Sequence, residues 1–159
     1  MTAGTLIIGY GNPLRGDDRI GQAVAEALAG EAASHSARVI VCHQLTPDLA
    51  PDIAAARLVV FVDAAVNIRP GVVAVREVRG ASAPSTGLVH TASPAALLEL
   101  ALRLYGGAPD AYIVTVGVGS LALSEALSPA VAAAVPEAVA AVTRLIMQRR
   151  DLAGGSAAC

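Results

Sequence analysis

Residues 5–28 read TLIIGYGNPLRGDDRIGQAVAEAL: an unbroken apolar run, a glycine-rich turn, then apolar residues at helical spacing. Thr5–Tyr10 suits a strand buried on both faces, because it lacks the alternation of a half-exposed one. Ile20, Val24, Ala27 and Leu28 recur with the period of a helix, Asp17 or Asp18 stands where an N-cap belongs, and Gly30 marks the stop. A strand feeding a helix through a tight glycine loop is the first unit of a parallel α/β sheet.

The loop does not suit a phosphate. Gly9 and Gly11 begin a G-x-G-x-x-G pattern, but Leu14 occupies the third glycine position, where a side chain hinders close helix–strand packing. Gly11 and Gly16 have the spacing of a P-loop, yet Asp17 and Asp18 follow where a lysine and a hydroxyl residue belong. Two carboxylates repel a polyphosphate. Oxygen ligands lifted to the end of a strand converge instead on a cation. Of the two, Asp17 is the simpler helix cap, which leaves Asp18 for the rim.

Further strands follow. Arg38–Gln44 ("RVIVCHQ") reads as the second, and "LTPDLAPDIAAA" as a turn leading into a short helix with Pro47 near its first turn. Arg57–Ala64 ("RLVVFVDA") is the third and stays apolar until Asp63. Gly71–Arg79 alternates near its end after the turn "NIRPG", which marks an edge strand able to run antiparallel. "SPAALLELALRLYG" is helical, with Ser93 as cap and Gly106 as stop. "AYIVTVGVG", Ala111–Gly119, is the fifth strand, and a last helix spans about Ser128 to Arg150 with Pro136 as a kink or break.

The expected fold is therefore α/β: a single domain over 1–150 with a mostly parallel, five-stranded twisted sheet, helices on both faces, and a disordered tail over 151–159. Sites in such sheets lie outside the carboxyl ends of the strands. Asp18 follows the first strand, Asp63 closes the third, and His90 precedes the helix that leads to the fifth. All three can meet at one rim. His43, at the end of the second strand beside Gln44, is the remaining imidazole in reach.

Composition narrows the function classes. The 159 residues are 55% hydrophobic and 15% charged, enough for one core, and the formal net charge of −2 comes without a basic run. Nucleic acid is not an expected partner. Apolar runs stop short of a membrane span and no leader precedes them, so a cytoplasmic location is expected. Cys42 and Cys159 form no C-x-x-C clamp, and Cys42 and His43, as strand neighbours, point to opposite faces. Ser120 has no base near it in sequence and no G-x-S-x-G elbow is present. An ordinary serine or cysteine hydrolase is disfavoured. Two carboxylates and an imidazole suit a borderline divalent ion, without selecting nickel over zinc.

In "IIGYGNPLRGDDRIG", "VVFVDA", a histidine ahead of a helix and "IVTVGVG", in that order over nearly the whole chain, the sequence resembles the hydrogenase maturation endopeptidases. These remove a C-terminal extension from the large subunit of nickel–iron hydrogenases. The resemblance implies that Asp18, Asp63 and His90 contact nickel, with His43 as the alternative imidazole, and that these three residues carry the catalytic role. Gly11, Asn12, His43 and Gln44 are the expected substrate contacts. It also implies that the nickel is carried by the precursor and that the enzyme holds no tightly bound metal of its own. Two other classes stand beside this one: a non-catalytic nickel- or precursor-binding domain, and a nucleotide- or flavin-binding domain, against which the loop aspartates argue.

Overall fold

A computed structural model describes residues 4–81 and 92–155. Among the described residues, five strands form one sheet: β1 Thr5–Tyr10, β2 Ala37–Cys42, β3 Leu58–Ala65, β4 Val73–Glu77 and β5 Asp110–Gly117. Their order is β2-β1-β3-β5-β4. β1, β2, β3 and β5 are parallel, and β4 closes one edge antiparallel to β5. The expected fold class is the observed one, edge strand included.

Among the described residues, four α-helices cover the sheet: α1 Ile20–Ala29, α2 Ala50–Ala55, α3 Pro94–Tyr105 and α4 Pro129–Gly155. Successive strand residues face opposite sides, and two cores result. Ile7, Val60, Val62, Val114 and Val116 pack with α1 and α4; Leu6, Ile8, Val59, Phe61 and Ile113 pack with α2 and α3. Burial on both faces is why β1, β3 and β5 read as continuous apolar runs. On α1 the buried alanine is Ala25 rather than Ala27.

Local signals act mostly where the sequence places them. The Ser93 hydroxyl accepts from the Ala96 amide at 3.1 Å, and Gly106 ends α3 at φ 71°. α4 runs unbroken through Pro136. Ala132, whose carbonyl loses its helix partner there, and Pro136 itself are exposed, so the lost bond falls on the solvent side of the helix. α4 also continues to Gly155, so residues 151–155, expected as part of a disordered tail, are helical. Residues 156–159 lie outside the described part. α4 is long and apolar enough to cross a membrane by composition, with a mean hydropathy of 1.6. Its face from Val131 through Ala138 and Val142 to Ile146 is instead buried in the core.

Two glycines decide how close α1 approaches the sheet. A Cβ on Gly9 would lie 2.2 Å from the Gly21 carbonyl oxygen, and one on Gly21 would lie 2.3 Å from that of Val62. Close packing thus uses Gly21, not the position held by Leu14. It draws the start of α1, and the aspartates just before it, over the ends of β1 and β3.

Candidate functional site at the carboxyl ends of the strands

The parallel register carries a row of side chains across this rim. Tyr10 is paired with Cys42, and Asp63 with Thr115; Gly9 faces Val62, so Tyr10 and Asp63 are the next neighbours along β1 and β3. All four share the α2/α3 face. The row is half-buried and open at the strand ends.

Asp63 accepts a hydrogen bond from the Ala64 amide at 2.7 Å and another from the Tyr10 phenol. Burial pushes its pKa up to about 6, the two hydrogen bonds restrain the rise, and the nearby Asp18 charge adds to it. The same burial, reinforced by Asp63, drives the Tyr10 phenol far above its ordinary value. Tyr10 is therefore a neutral donor aimed at a carboxylate. Sequence reading passed over it as the last residue of a strand, although period-two alternation places it on the face of Asp63.

Asp18 stands where the sequence placed it. Its Oδ2 accepts the Asn12 amide at 2.7 Å, while Asn12 Oδ1 accepts the Leu14 amide at 2.9 Å. The chain wraps the carboxylate so closely that a Cβ on Gly11, at φ 147°, would lie 1.9 Å from the Asp18 carbonyl oxygen. Gly11 and Asn12, expected as substrate contacts, build the turn around Asp18.

Asp17 is not a helix cap. The loop enters α1 through a 3₁₀ turn at Gly16–Arg19, Arg19 occupies the cap position, and neither helical start has a side-chain cap. Asp17 turns inward, 1% exposed. It accepts from the amides of Gly119 (3.1 Å), Ser120 (3.1 Å) and Ser128 (2.7 Å) and from the Ser128 hydroxyl (2.8 Å). Burial alone would raise its pKa. The Ser128 bonds, then the Gly119 and Ser120 amides, outweigh burial and hold it below the ordinary value. Backbone bonds from Gly16 to Ser124 and from Ser124 to Leu14 complete the seam between the two loops. Adjacent aspartates thus divide the work: one ties the loops together, the other faces the rim.

Of the imidazoles, His90 lies outside the described residues. His43 is exposed just past β2, as is Gln44, whose amide donates to the Cys42 sulfur. Burial, then the Asp48 charge, raises the Cys42 thiol, so Cys42 is no activated nucleophile. Ser120 is taken up by the seam: its amide binds Asp17 and its hydroxyl accepts the Ala122 amide at 3.4 Å. Among the described residues, no three His, Cys, Asp or Glu side chains form a metal-holding cluster. The site that the described residues form is a carboxylate pair with a phenol donor. A second anchor that the sequence did not reveal is Gln22, 5% exposed, whose amide nitrogen donates to the Cys42 carbonyl at 2.9 Å and ties α1 to the end of β2.

The fold and this rim define an α/β protein with an acidic site at the carboxyl ends of a parallel sheet. Solved structures with the same architecture include hydrogenase maturation endopeptidases. The chain is similar to the hydrogenase maturating endopeptidase HybD from E. coli, with 24% identity, a TM-score of 0.72, and 92% of this chain and 93% of that one covered. It is similar to the NiFe hydrogenase maturation protease HycI from Thermococcus kodakarensis KOD1 at 22% identity and TM-score 0.71, covering 92% and 93%. A hydrogenase 2 maturation peptidase from Thaumarchaeota archaeon SCGC_AB-539-E09 follows the same path at 20% identity and TM-score 0.66, covering 90% and 97%. No family model and no curated protein matches the sequence. The chain has the fold of the family that its opening motif resembles.

Proposed function

We propose that the protein is a peptidase of hydrogenase maturation, which removes the C-terminal extension of a nickel-loaded hydrogenase large-subunit precursor in the cytoplasm. The observation that carries this reading is the placement of Asp18 and Asp63 within electrostatic reach of each other at one rim, in a fold shared with solved maturation endopeptidases. The pair suits a cation. Two carboxylates whose charges repel, one of them with its pKa lifted to about 6, gain most when a positive ion arrives between them. The ion is cargo on the precursor's own cysteines, and the peptidase reads it as the sign of a filled substrate. Its arrival draws the proton from Asp63, and an imidazole from His90, or from His43 in its place, completes the contact.

Hydrolysis then needs a water. In this reading the water's oxygen bonds to the scissile carbonyl carbon as the carbon–nitrogen bond breaks, and its protons end on the nascent amine and on a base at the rim. Asp63, left ionised by the cation and held by Tyr10, is the described carboxylate that takes the part of that base. Tyr10 holds its carboxylate in place while it exchanges the proton. Incubation with a nickel-loaded precursor tests the whole reading. Cleavage of the extension is the expected result; binding without cleavage would make the protein a precursor-holding domain, and neither would overturn the assignment.

A further inference from the structure

A sizeable cavity bordered by described residues lies away from the acidic rim. It opens at the amino ends of β1, β2 and β3, between α2 and the last turns of α4, with a volume of about 650 Å³. Four of the chain's eleven basic residues line it, Arg38, Arg57, Arg149 and Arg150, against a single acid, Asp52. In a chain of net charge −2 this is a concentrated positive wall.

The four arginines differ in state. Arg38 is fixed to Asp52 at 2.5 Å. Arg149 is held by Asp110 at 3.3 Å and stacks with its guanidinium carbon 5.1 Å from the centre of the Tyr112 ring. Arg57 and Arg150 are exposed and make no ion pair among the described residues. Two guanidiniums are thus immobilised as wall, and two keep their donor forks open. Ser36, which also lines the cavity, is the one non-glycine residue with positive φ among those described, at 54°, and its carbonyl accepts the Thr5 amide at 3.3 Å. Such backbone is retained where the surroundings demand it, often at ligand sites.

We propose that this cavity binds a compact oxyanion of two or more negative charges, phosphate or carboxylate in kind, gripped by Arg57 and Arg150. A guanidinium presents paired donors that match either oxyanion, and the volume lies within the roughly 300–1,000 Å³ of small-molecule sites. β1 alone separates the cavity from the acidic rim by roughly 17 Å, at about 3.3 Å per residue. The site is therefore independent of peptide-bond cleavage and of the reading of the rim.

Calorimetric titration of the full chain at low ionic strength, with pyrophosphate and separately with citrate, tests this. The expected result is one-site binding of at least one anion, with amide NMR shifts centred on Thr5, Arg38 and Arg57. The anion that binds more tightly identifies phosphate or carboxylate as the natural chemistry. Arg57→Gln with Arg150→Gln should weaken binding about a hundredfold, roughly tenfold for each guanidinium removed from the anion. Both side chains are exposed and unpaired, so the melting temperature should hold; Arg150→Gln alone, expected to cost about tenfold, serves if it does not. Binding of neither anion, binding unchanged in these variants, or shifts centred elsewhere would overturn the proposal. Asp18→Asn should leave anion binding intact.

Discussion

The two ends of the sheet carry charge in opposite ways. At the amino ends, arginines crowd a cavity, and Arg38 and Arg149 are matched to Asp52 and Asp110. At the carboxyl ends, Asp18 and Asp63 stand near each other with no ion pair among the described residues, and each half-buried carboxylate is steadied only by neutral donors. Matched charges lower the cost of one another's desolvation, whereas unmatched like charges raise it. In the proposed function, that unmatched pair is what receives a cation. The difference is sharpest between Asp17 and Asp18, which are adjacent in sequence: the first is fully satisfied inside the protein, the second is left facing out.

The largest expected effect breaks the rim itself. Asp18→Asn keeps the shape around the Asn12 amide but removes the charge, as Asp63→Asn does beside Tyr10. Each should slow precursor processing by about 10²-fold or more, with the circular dichroism spectrum unchanged. Processing by Asp18→Asn at the normal rate would remove that charge from the reading of the site. For Asp17 the expectation reverses. Asp17→Ala removes the shared acceptor of three amides and a hydroxyl, all part-buried, and should cost about 2–3 kcal/mol in urea unfolding. Loss of activity there should follow loss of the seam, and cooling or a stabilising osmolyte should restore part of it.

How far the sequence discloses this contrast depends on the range of each interaction. The β1–loop–α1 unit, Asp63 at the end of an apolar strand and the antiparallel edge strand follow from period and punctuation, which act over a few residues. The assignment of Asp18 to the rim rested on Asp17 serving as the helix cap, whereas the structure gives Asp17 to the seam instead. The inward turn of Asp17 depends on donors 102 to 111 residues away and leaves no local mark. Gly21 reads as an ordinary helix residue until the Val62 carbonyl is placed against it. The basic cavity draws on three strands and two helices, so its arginines are scattered through the chain. His90 lies outside the described residues, and the imidazole remains part of the proposal.

Asp17 and the half-buried Asp63 also predict opposite responses to acid. Asp17 has its folded pKa below the ordinary value, so its contribution is present at neutral pH and is lost as pH falls through the folded value. Asp63 has a folded pKa of about 6 against an ordinary 3.8. Between those values the folded chain holds the extra proton, so stability falls as pH rises from near 4 to near 6 and is flat on either side. Asp63→Asn removes that slope. Above pH 7 it should be more stable than the parent by up to about 3 kcal/mol, and below pH 4 the two should converge. Unfolding free energies for both proteins across that range measure the difference directly; parallel curves would mean that Asp63 is not desolvated.

The smallest effect is the most specific. Tyr10→Phe keeps the ring packed against the α2/α3 core at the end of β1, opposite Cys42, and removes only the phenol oxygen. Asp63 then retains the Ala64 amide but loses the donor that restrains its pKa. Its pKa should therefore rise above 6, which carbon-detected NMR of the carboxyl group reads without substrate. The deleted hydroxyl is half-buried and leaves no unsatisfied amide, so the stability cost at neutral pH should be about 1 kcal/mol. Processing should fall by a few-fold at pH 7, with the acid limb of its pH profile displaced upward by the same amount as the carboxyl pKa, because a larger fraction of Asp63 must give up a proton before a cation can be received. A purely structural role for Tyr10 would lower activity without moving that limb. An unmoved carboxyl pKa would show that the phenol is a packing neighbour, and the burial that lifts Asp63 would then stand as the sole influence of β1 on the site.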